Sequence, residues 1–441
     1  MPQQAALIFQ DLKKHCRKQQ YMFVKIANVF FSKFLVSVIG FFIVIINAKQ
    51  LGPAGLGIIS LIVLSITYNQ VVCGIIGGSS IMYLASRKPL FEILIPSYLW
   101  AVISSLIGTL VLNVFNLMPQ QYATDVFLLS VLQAFGTIHL NVFIGLEKIK
   151  KYNKISAIQV VITLISLLFL FYVLNYRTVQ SYIISMYLGF AYVFLESSFV
   201  VFPGVKIGPI SRWGNSLKFI FQNSIYIQLA TIVHLLNCRL SYFMLDRYMD
   251  KGSLGVYAIA VSIAESLWLI SRSISVIQYS RVVNSSELKS SQELTLLLAK
   301  FSLLVTIAGA VVLVLLPEYF FIWLFGSKFA AIKHLLLYLL PGVVFIANSS
   351  LYVHYYAAIG KNHINTIGSS IGFVFTIICC FVLIPRYHLA GAALSSSISY
   401  LANSVFLIFL FKKDAKYSWK DFMVKSSDTR NIFIEARKIF T

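Results

Sequence analysis

Twelve apolar stretches of membrane-span length, separated by short loops, constrain this chain more than anything else in it. They fall at approximately 22–47, 56–84, 93–115, 125–146, 155–175, 180–202, 219–245, 254–279, 295–316, 334–358, 365–384 and 390–411. One helical crossing of a bilayer takes about 20 mostly apolar residues. Lipid offers the backbone no hydrogen-bond partners, so each stretch must satisfy its own N–H and C=O groups as a helix. The expected class is therefore an all-α integral membrane protein with 12 transmembrane helices. Charged residues are only 12% of the chain and apolar residues 59%. An ordinary soluble domain is about one-quarter charged, so a soluble enzyme and a disordered chain are both excluded. No gap outside the membrane is long enough for a folded domain. The first apolar run is of full span length and follows a basic segment, so it reads as a retained span and not a cleaved leader.

The basic residues orient the spans. Lys and Arg total 36 and Asp and Glu 15, a formal net charge of +21. These charges lie in short clusters between apolar runs, which argues against nucleic acid as a partner and for the positive-inside rule. With both termini cytoplasmic, 24 basic residues face the cytoplasm and seven face outward; without the termini the loops divide 12 to 7 in the same direction. The expected organisation is a cytoplasmic basic N-terminus (1–20), a six-helix bundle (21–202), a cytoplasmic linker (203–218), a second six-helix bundle (219–411) and a basic tail (412–441). The tail interleaves Lys416, Tyr417, Trp419, Lys420 and Phe422. That pattern suits an interfacial helix on the anionic inner leaflet, and equally a solvated basic tail.

Two outer turns resemble each other at a separation of 198 residues. Gly52-Pro53-Ala54-Gly55-Leu56-Gly57 follows the first span, and Lys251-Gly252-Ser253-Leu254-Gly255 follows the seventh. Leu56 aligns with Leu254, Gly57 with Gly255 and Lys49 with Arg247. Chance similarity of two glycine turns is one reading. The other is a repeat of two six-span halves related by an axis along the membrane normal, with a central cavity between them, as in alternating-access transporters.

Charges inside the spans point to that cavity. Lys25, Lys33, Arg239, Arg272 and Lys300 are embedded, with Glu196 and Glu265. Lys300 lies near a span end and can reach the interface. Each charge facing mid-bilayer lipid costs about 2.5–3.5 kcal/mol on the insertion scale, so these side chains should line water or pair. Span 7 is polar on two stripes: Asn223, Tyr226, His234, Asn237 and Ser241 on one, Gln228, Thr231, Arg239, Tyr242 and Asp246 on the other. The candidate cavity residues are Lys25, Asn28, Lys33, His234, Asn237, Arg239, Tyr242, Glu265 and Arg272. Five basic against two acidic residues suits an anion such as phosphate or pyrophosphate. Glu265 shares a helical stripe with Arg272 two turns on. It is a candidate for coupling to a proton or sodium ion, as is Asp246, or it balances Arg272. His139 and His234 read as hydrogen-bonded core histidines, with proton relay the minority reading.

Enzymatic and metal signatures are absent from the sequence. There is no GxxxxGK[ST], no HExxH and no accessible pair of carboxylates, and the longest external segment, 317–333, carries only Glu318. Five cysteines without CxxC or Cys/His spacing offer no disulfide framework and no metal site. No cofactor is called for.

The residues resemble a known group. Leu51-Gly52-Pro53-Ala54-Gly55-Leu56-Gly57, Gly145-Leu146-Glu147-Lys148 with Tyr152-Asn153, Asn237 through Leu245, Leu254 through Ala258, Ala264-Glu265-Ser266-Leu267-Trp268, Leu340-Pro341-Gly342 and Gly360-Lys361 together resemble Wzx-type polysaccharide flippases of the multidrug/oligosaccharidyl-lipid/polysaccharide (MOP) exporter superfamily. The resemblance implies two six-helix bundles meeting in a V. It implies translocation of undecaprenyl-pyrophosphate-linked oligosaccharide across the bacterial inner membrane for O-antigen or capsule synthesis, with a polymerase and chain-length regulator as partners. Arg239, Tyr242 and Glu265 lie in its best-matched stretch, and Arg272 departs from it. The alternatives are a cation-coupled multidrug exporter of the same superfamily, which would favour an acidic cavity; a related peptidoglycan-precursor flippase; and a membrane enzyme of polysaccharide assembly.

Overall fold

The computed structural model describes residues 2–205, 213–285 and 287–423; side chains are described from Leu35 onward, except at 79, 213–219, 222, 223, 226, 227 and 277. Among these residues every regular element is helical. Nine helical segments among them are long and apolar enough to cross a membrane, so the chain is a multi-pass membrane protein.

The elements are α1 (Pro2–Gly77), α2 (Ser79–Leu84), α3 (Leu90–Val114), α4 (Ala123–Gly145), α5 (Ile149–Leu168), α6 (Val179–Val201), α7 (Trp213–Tyr248), α8 (Lys251–Glu265), α9 (Trp268–Val283), α10 (Leu288–Leu315), α11 (Glu318–Phe325), α12 (Ile332–Ala358), α13 (Asn362–Ala415) and α14 (Trp419–Phe422). Two of these join stretches expected as separate spans. α1 has 76 residues and is broken at Gly52, whose φ of 67° and ψ of −173° glycine adopts without a Cβ clash. Pro53 follows, a residue preorganised for a first helical turn. α13 has 54 residues and is broken at His388, with φ of 54° and ψ of −126°, three residues after Pro385. In both, a single residue replaces the short loop expected from the sequence. The opposite happens at 254–279, expected as one span: α8 ends at Glu265 and α9 begins at Trp268. The apolar segment 317–333, expected on the outer side, forms α11 and a 3-10 turn. The tail continues α13 to Ala415. α14, closed by a Ser418–Asp421 capping box, then packs Phe422 against Phe411. The rest of the tail and residues 206–212 lie outside the described residues, and the end of the expected linker, 213–218, is already part of α7.

Packing differs between the two ends of the helices. One buried cluster runs through α1 around Gly52, the nearby ends of α4 and α6, the last turns of α7, all of α8, and α11, α12 and α13. At the other end the core is divided. Ile76, Ile93, Phe143, Ile155 and Val201 form one cluster with Ile220 of α7; Val282, Leu298, Tyr352, Tyr355 and Phe411 form another. The first and second parts of the chain thus share a core at one end and keep separate cores at the other.

The two glycines of the sequence repeat lie at the shared end, against each other's segments. A Cβ on Gly57 would sit 1.8 Å from the Lys251 carbonyl oxygen, and a Cβ on Gly255 would sit 2.0 Å from that of Pro53. Lys251 stands 198 residues after Pro53, as Gly255 does after Gly57. The contact is therefore reciprocal in the repeat register, the signature of a two-fold relation. At the divided end, α7 bridges the gap. Ser80 Oγ and Ser224 Oγ are 2.6 Å apart, and Gly74 and Gly78 leave room for the Gln228 amide.

Candidate functional site

Between these two crossings lies a cavity of about 490 Å³, walled by α1 on both sides of its break and by α5, α6, α7 and α8. Its lining from α1 is the stripe Gly40, Ile43, Val44 and Asn47, with Ser60, Val63 and Thr67 beyond Gly52. Spacings of three and four residues put each set on one helix face. Gln159 and Thr163 face it from α5, Tyr182 and Phe190 from α6, Arg239 and Tyr242 from α7, and Ser262 from α8. Among the described residues of this lining, Arg239 is the sole charged side chain.

That charge is held by an acid behind it. Arg239 Nη1 donates to Glu265 Oε1 at 2.7 Å and Nη2 to Oε2 at 2.6 Å, a two-pronged pair that matches the planar fork to the carboxylate. Both side chains remain partly accessible, Arg239 at 24% and Glu265 at 14%. Aromatic side chains brace the pair. The guanidinium lies 5.4 Å from the Tyr242 ring centroid, and Tyr400 OH donates to Glu265 Oε1 at 3.3 Å. Tyr257 packs edge-on against Tyr242 and is bonded to Ser241 and Ser396. Glu265 is the last residue of α8, so the pair with α7 stands at the break between α8 and α9.

The other candidates separate. Asn237 is buried two residues before Arg239, on the far face of α7, and its Oδ1 is 2.7 Å from Thr376 Oγ1, with Ser399 bonded alongside; this knot ties α7 to both arms of α13. His234 meets Cys238 at 3.9 Å on the same helix and is not part of the cavity wall. Arg272 is exposed on α9, its guanidinium 5.2 Å from the Trp268 ring, so Glu265 balances Arg239 and not Arg272. Asp246 forms an ion pair with Lys251 near the glycine crossing. Lys25, Asn28 and Lys33 lie in α1, and their side chains are outside the described residues. His139 is buried between Tyr98 and Ser197, stacked on Phe194.

Tyr257, Tyr400, Asn47, Gln159 and Thr163 do not stand out in the sequence. Gln159 and Thr163, four residues apart in an apolar span, are the available signal for a polar face on α5. Tyr400 is hidden behind the serine-rich run 395–399, and Asn47 looks like an interfacial residue beside Lys49.

No family model matches the chain, and no curated protein does. Solved structures do match. The lipid II flippase MurJ in an inward closed conformation superposes with a TM-score of 0.73 at 19% identity, covering 89% of this chain and 88% of that one. An inward-facing multidrug resistance MATE family transporter of the MOP superfamily gives 0.69 at 13% identity, over 86% and 94%. The MATE multidrug transporter DinF-BH gives 0.64 at 17% identity, over 91% and 96%. The fold is that of the MOP-superfamily transporters. At these identities the likeness speaks for the architecture, and the chemistry must come from the cavity itself.

Proposed function

We propose that this protein is a flippase for undecaprenyl-pyrophosphate-linked oligosaccharide, moving repeat units from the cytoplasmic to the outer leaflet of the bacterial inner membrane by alternating access. The polymer is O-antigen or capsular polysaccharide. The proposed architecture is twelve spans in two six-span bundles, 21–202 and 219–411, with both termini cytoplasmic. The glycine crossing is then the outer end and the serine bridge the inner end.

The observation that carries this reading is the Arg239–Glu265 pair set in a wall of hydroxyls, amides and rings. Amides, hydroxyls and aromatic faces suit sugars, and an arginine fork suits a pyrophosphate. Glu265 and a pyrophosphate would compete for the same guanidinium. Whatever releases Glu265 from Arg239 frees the guanidinium for the substrate, so Glu265 is the proposed coupling group, for a proton or a sodium ion. Lys25 and Lys33 stand in this proposal as further basic contacts toward the inner leaflet. Multidrug transporters share the fold, but a cationic drug needs a carboxylate free to receive it, and Glu265 is occupied on both oxygens.

Proteoliposomes carrying a fluorescent polyprenyl-pyrophosphate oligosaccharide test the reading, with a cationic dye in parallel. Protein-dependent movement of the glycolipid alone is the expected result, and Arg239→Gln should abolish it. Dye movement with a stationary glycolipid would replace this function with drug export.

A further inference from the structure

Among the described cavity-lining residues one buried polar atom has no partner. Asn47 is 2% exposed, and its Oδ1 makes no hydrogen bond. It ends the stripe Gly40, Ile43, Val44, Asn47, so the helix that buries it also turns it onto the cavity wall. A buried amide oxygen without a donor is costly, and natural cores rarely keep one without a use. The flanking Thr163 hydroxyl already donates to the Gln159 carbonyl oxygen at 3.1 Å.

The donor inventory of the cavity narrows what completes Asn47. Arg239 carries only donors, and an ionised pyrophosphate only acceptors, so these two match each other. The Asn47 oxygen is an acceptor, so a pyrophosphate cannot satisfy it. A group that brings an O–H or N–H can, and a sugar offers several hydroxyls and, when acetylated on nitrogen, an amide N–H. We infer that Asn47 is a specificity-determining contact of the cavity, its Oδ1 accepting a hydrogen bond from a hydroxyl or acetamido N–H of the carbohydrate headgroup. This rests on the flippase reading and assigns the cavity two poles, Arg239 for the phosphates and Asn47 for the sugar.

The test compares two lipids on the purified full chain: undecaprenyl pyrophosphate, and the same lipid bearing one N-acetylhexosamine. Asn47→Leu keeps the side chain's branching and heavy-atom count and removes its polar atoms; Asn47→Ala guards against a packing artefact, and thermal melting reports folding. The expected result is a loss of about tenfold in affinity for the sugar-bearing lipid in both variants, with the bare lipid bound as by the wild type. Equal losses for both lipids would make Asn47 a structural residue and overturn the assignment. An unchanged affinity with a raised melting temperature would overturn it too, while leaving the flippase reading intact. A wild-type protein that binds bare and sugar-bearing lipid alike would remove the carbohydrate contact, while the proteoliposome transport assay judges the flippase reading separately.

Discussion

The two places where the first and second parts of the chain meet are built from different materials. At the glycine end the contact is main chain on main chain: Gly57 against Lys251 and Gly255 against Pro53, reciprocal and embedded in a core common to both parts. At the serine end it is side chain on side chain: a hydroxyl pair between Ser80 and Ser224 and an amide against Gly74 and Gly78, between cores that are otherwise separate. Main-chain contact through glycine tolerates no added atom. Hydroxyl contacts can be exchanged for water or for other hydroxyls at little net cost. The difference teaches that the glycine end is the geometrically fixed closure and the serine end the adaptable one. In the proposed orientation the adaptable end faces the cytoplasm, where the substrate would enter.

Breaking the glycine closure should have the largest effect. Gly57→Val or Gly255→Val places atoms where a backbone oxygen already lies, and the helices must part. Overpacking of this kind costs about 1–3 kcal/mol or more. On a cysteine-free background, Ser262→Cys in the cavity should become accessible to an impermeant thiol reagent applied at the glycine end. Unaltered protection would show that the crossing is not a closure. Ser80→Val at the other end should change labelling far less.

The Arg239–Glu265 pair sits between the two crossings and comes next. Removing one member of a largely buried pair leaves the other charge uncompensated, a loss of about 3–5 kcal/mol when burial is complete and less at the partial exposure seen here. Glu265→Gln alone should cut glycolipid transport and remove its dependence on a proton or sodium gradient. The exchange Arg239→Glu with Glu265→Arg should recover stability but not transport, because the cation would then sit away from the cavity wall. Full recovery of transport would show that the pair is merely structural.

How far the sequence speaks for these regions depends on the range of the interaction. Span-length apolarity is a local property, so the helical, multi-pass character is legible throughout. The glycine turns are legible as a repeat because both copies carry the same short pattern, although nothing in that pattern says that they touch. Arg239 and Glu265 are both visible as charges too costly for lipid, yet the pairing is not. They lie on different helices 26 residues apart, and the shared stripe on one helix draws Glu265 toward Arg272 instead. The boundary near His388 is legible as the gap between the stretches 365–384 and 390–411, but its reduction to a single residue is not, since histidine is no helix breaker and Pro385 alone suggests only a kink. Asn47 carries no signal of its own, because a polar residue near a span end usually needs no partner but water.

Asp250 offers a smaller test, one turn before Gly255. Its side chain caps α8, accepting from the Ser253 backbone N–H at 3.0 Å. Hydrogen bonding by the Ser253 side chain and backbone holds its carboxyl below the usual carboxylate range. A carboxyl lowered in the folded state contributes stability above its unfolded pKa and loses it as pH falls through the folded value. Asp250→Ala should therefore cost about 0.5–1 kcal/mol at neutral pH and less at strongly acid pH, where the neutral carboxyl keeps only its hydrogen-bonding share of the cap. Asp250→Asn should keep most of the cap and flatten the pH dependence. Melting curves of the three proteins between neutral and acid pH decide the matter, and parallel curves would mean the carboxylate contributes nothing to the glycine end.

A comparably small effect is expected at the serine bridge, and its pattern matters more than its size. Ser80→Ala or Ser224→Ala alone leaves a buried hydroxyl without its partner at 2.6 Å, for a loss of about 1 kcal/mol. The double variant removes both polar groups, so its loss should be smaller than the two single losses added together. A double-mutant cycle on thermal stability reads that coupling directly. If the bridge is the adaptable closure, the double variant should transport at near the wild-type rate, because an apolar contact of similar size closes and opens as easily. A strong transport defect in the double variant, with stability preserved, would instead make the two hydroxyls part of the substrate's path, and the contrast between a fixed end and an adaptable end would have to be redrawn around them.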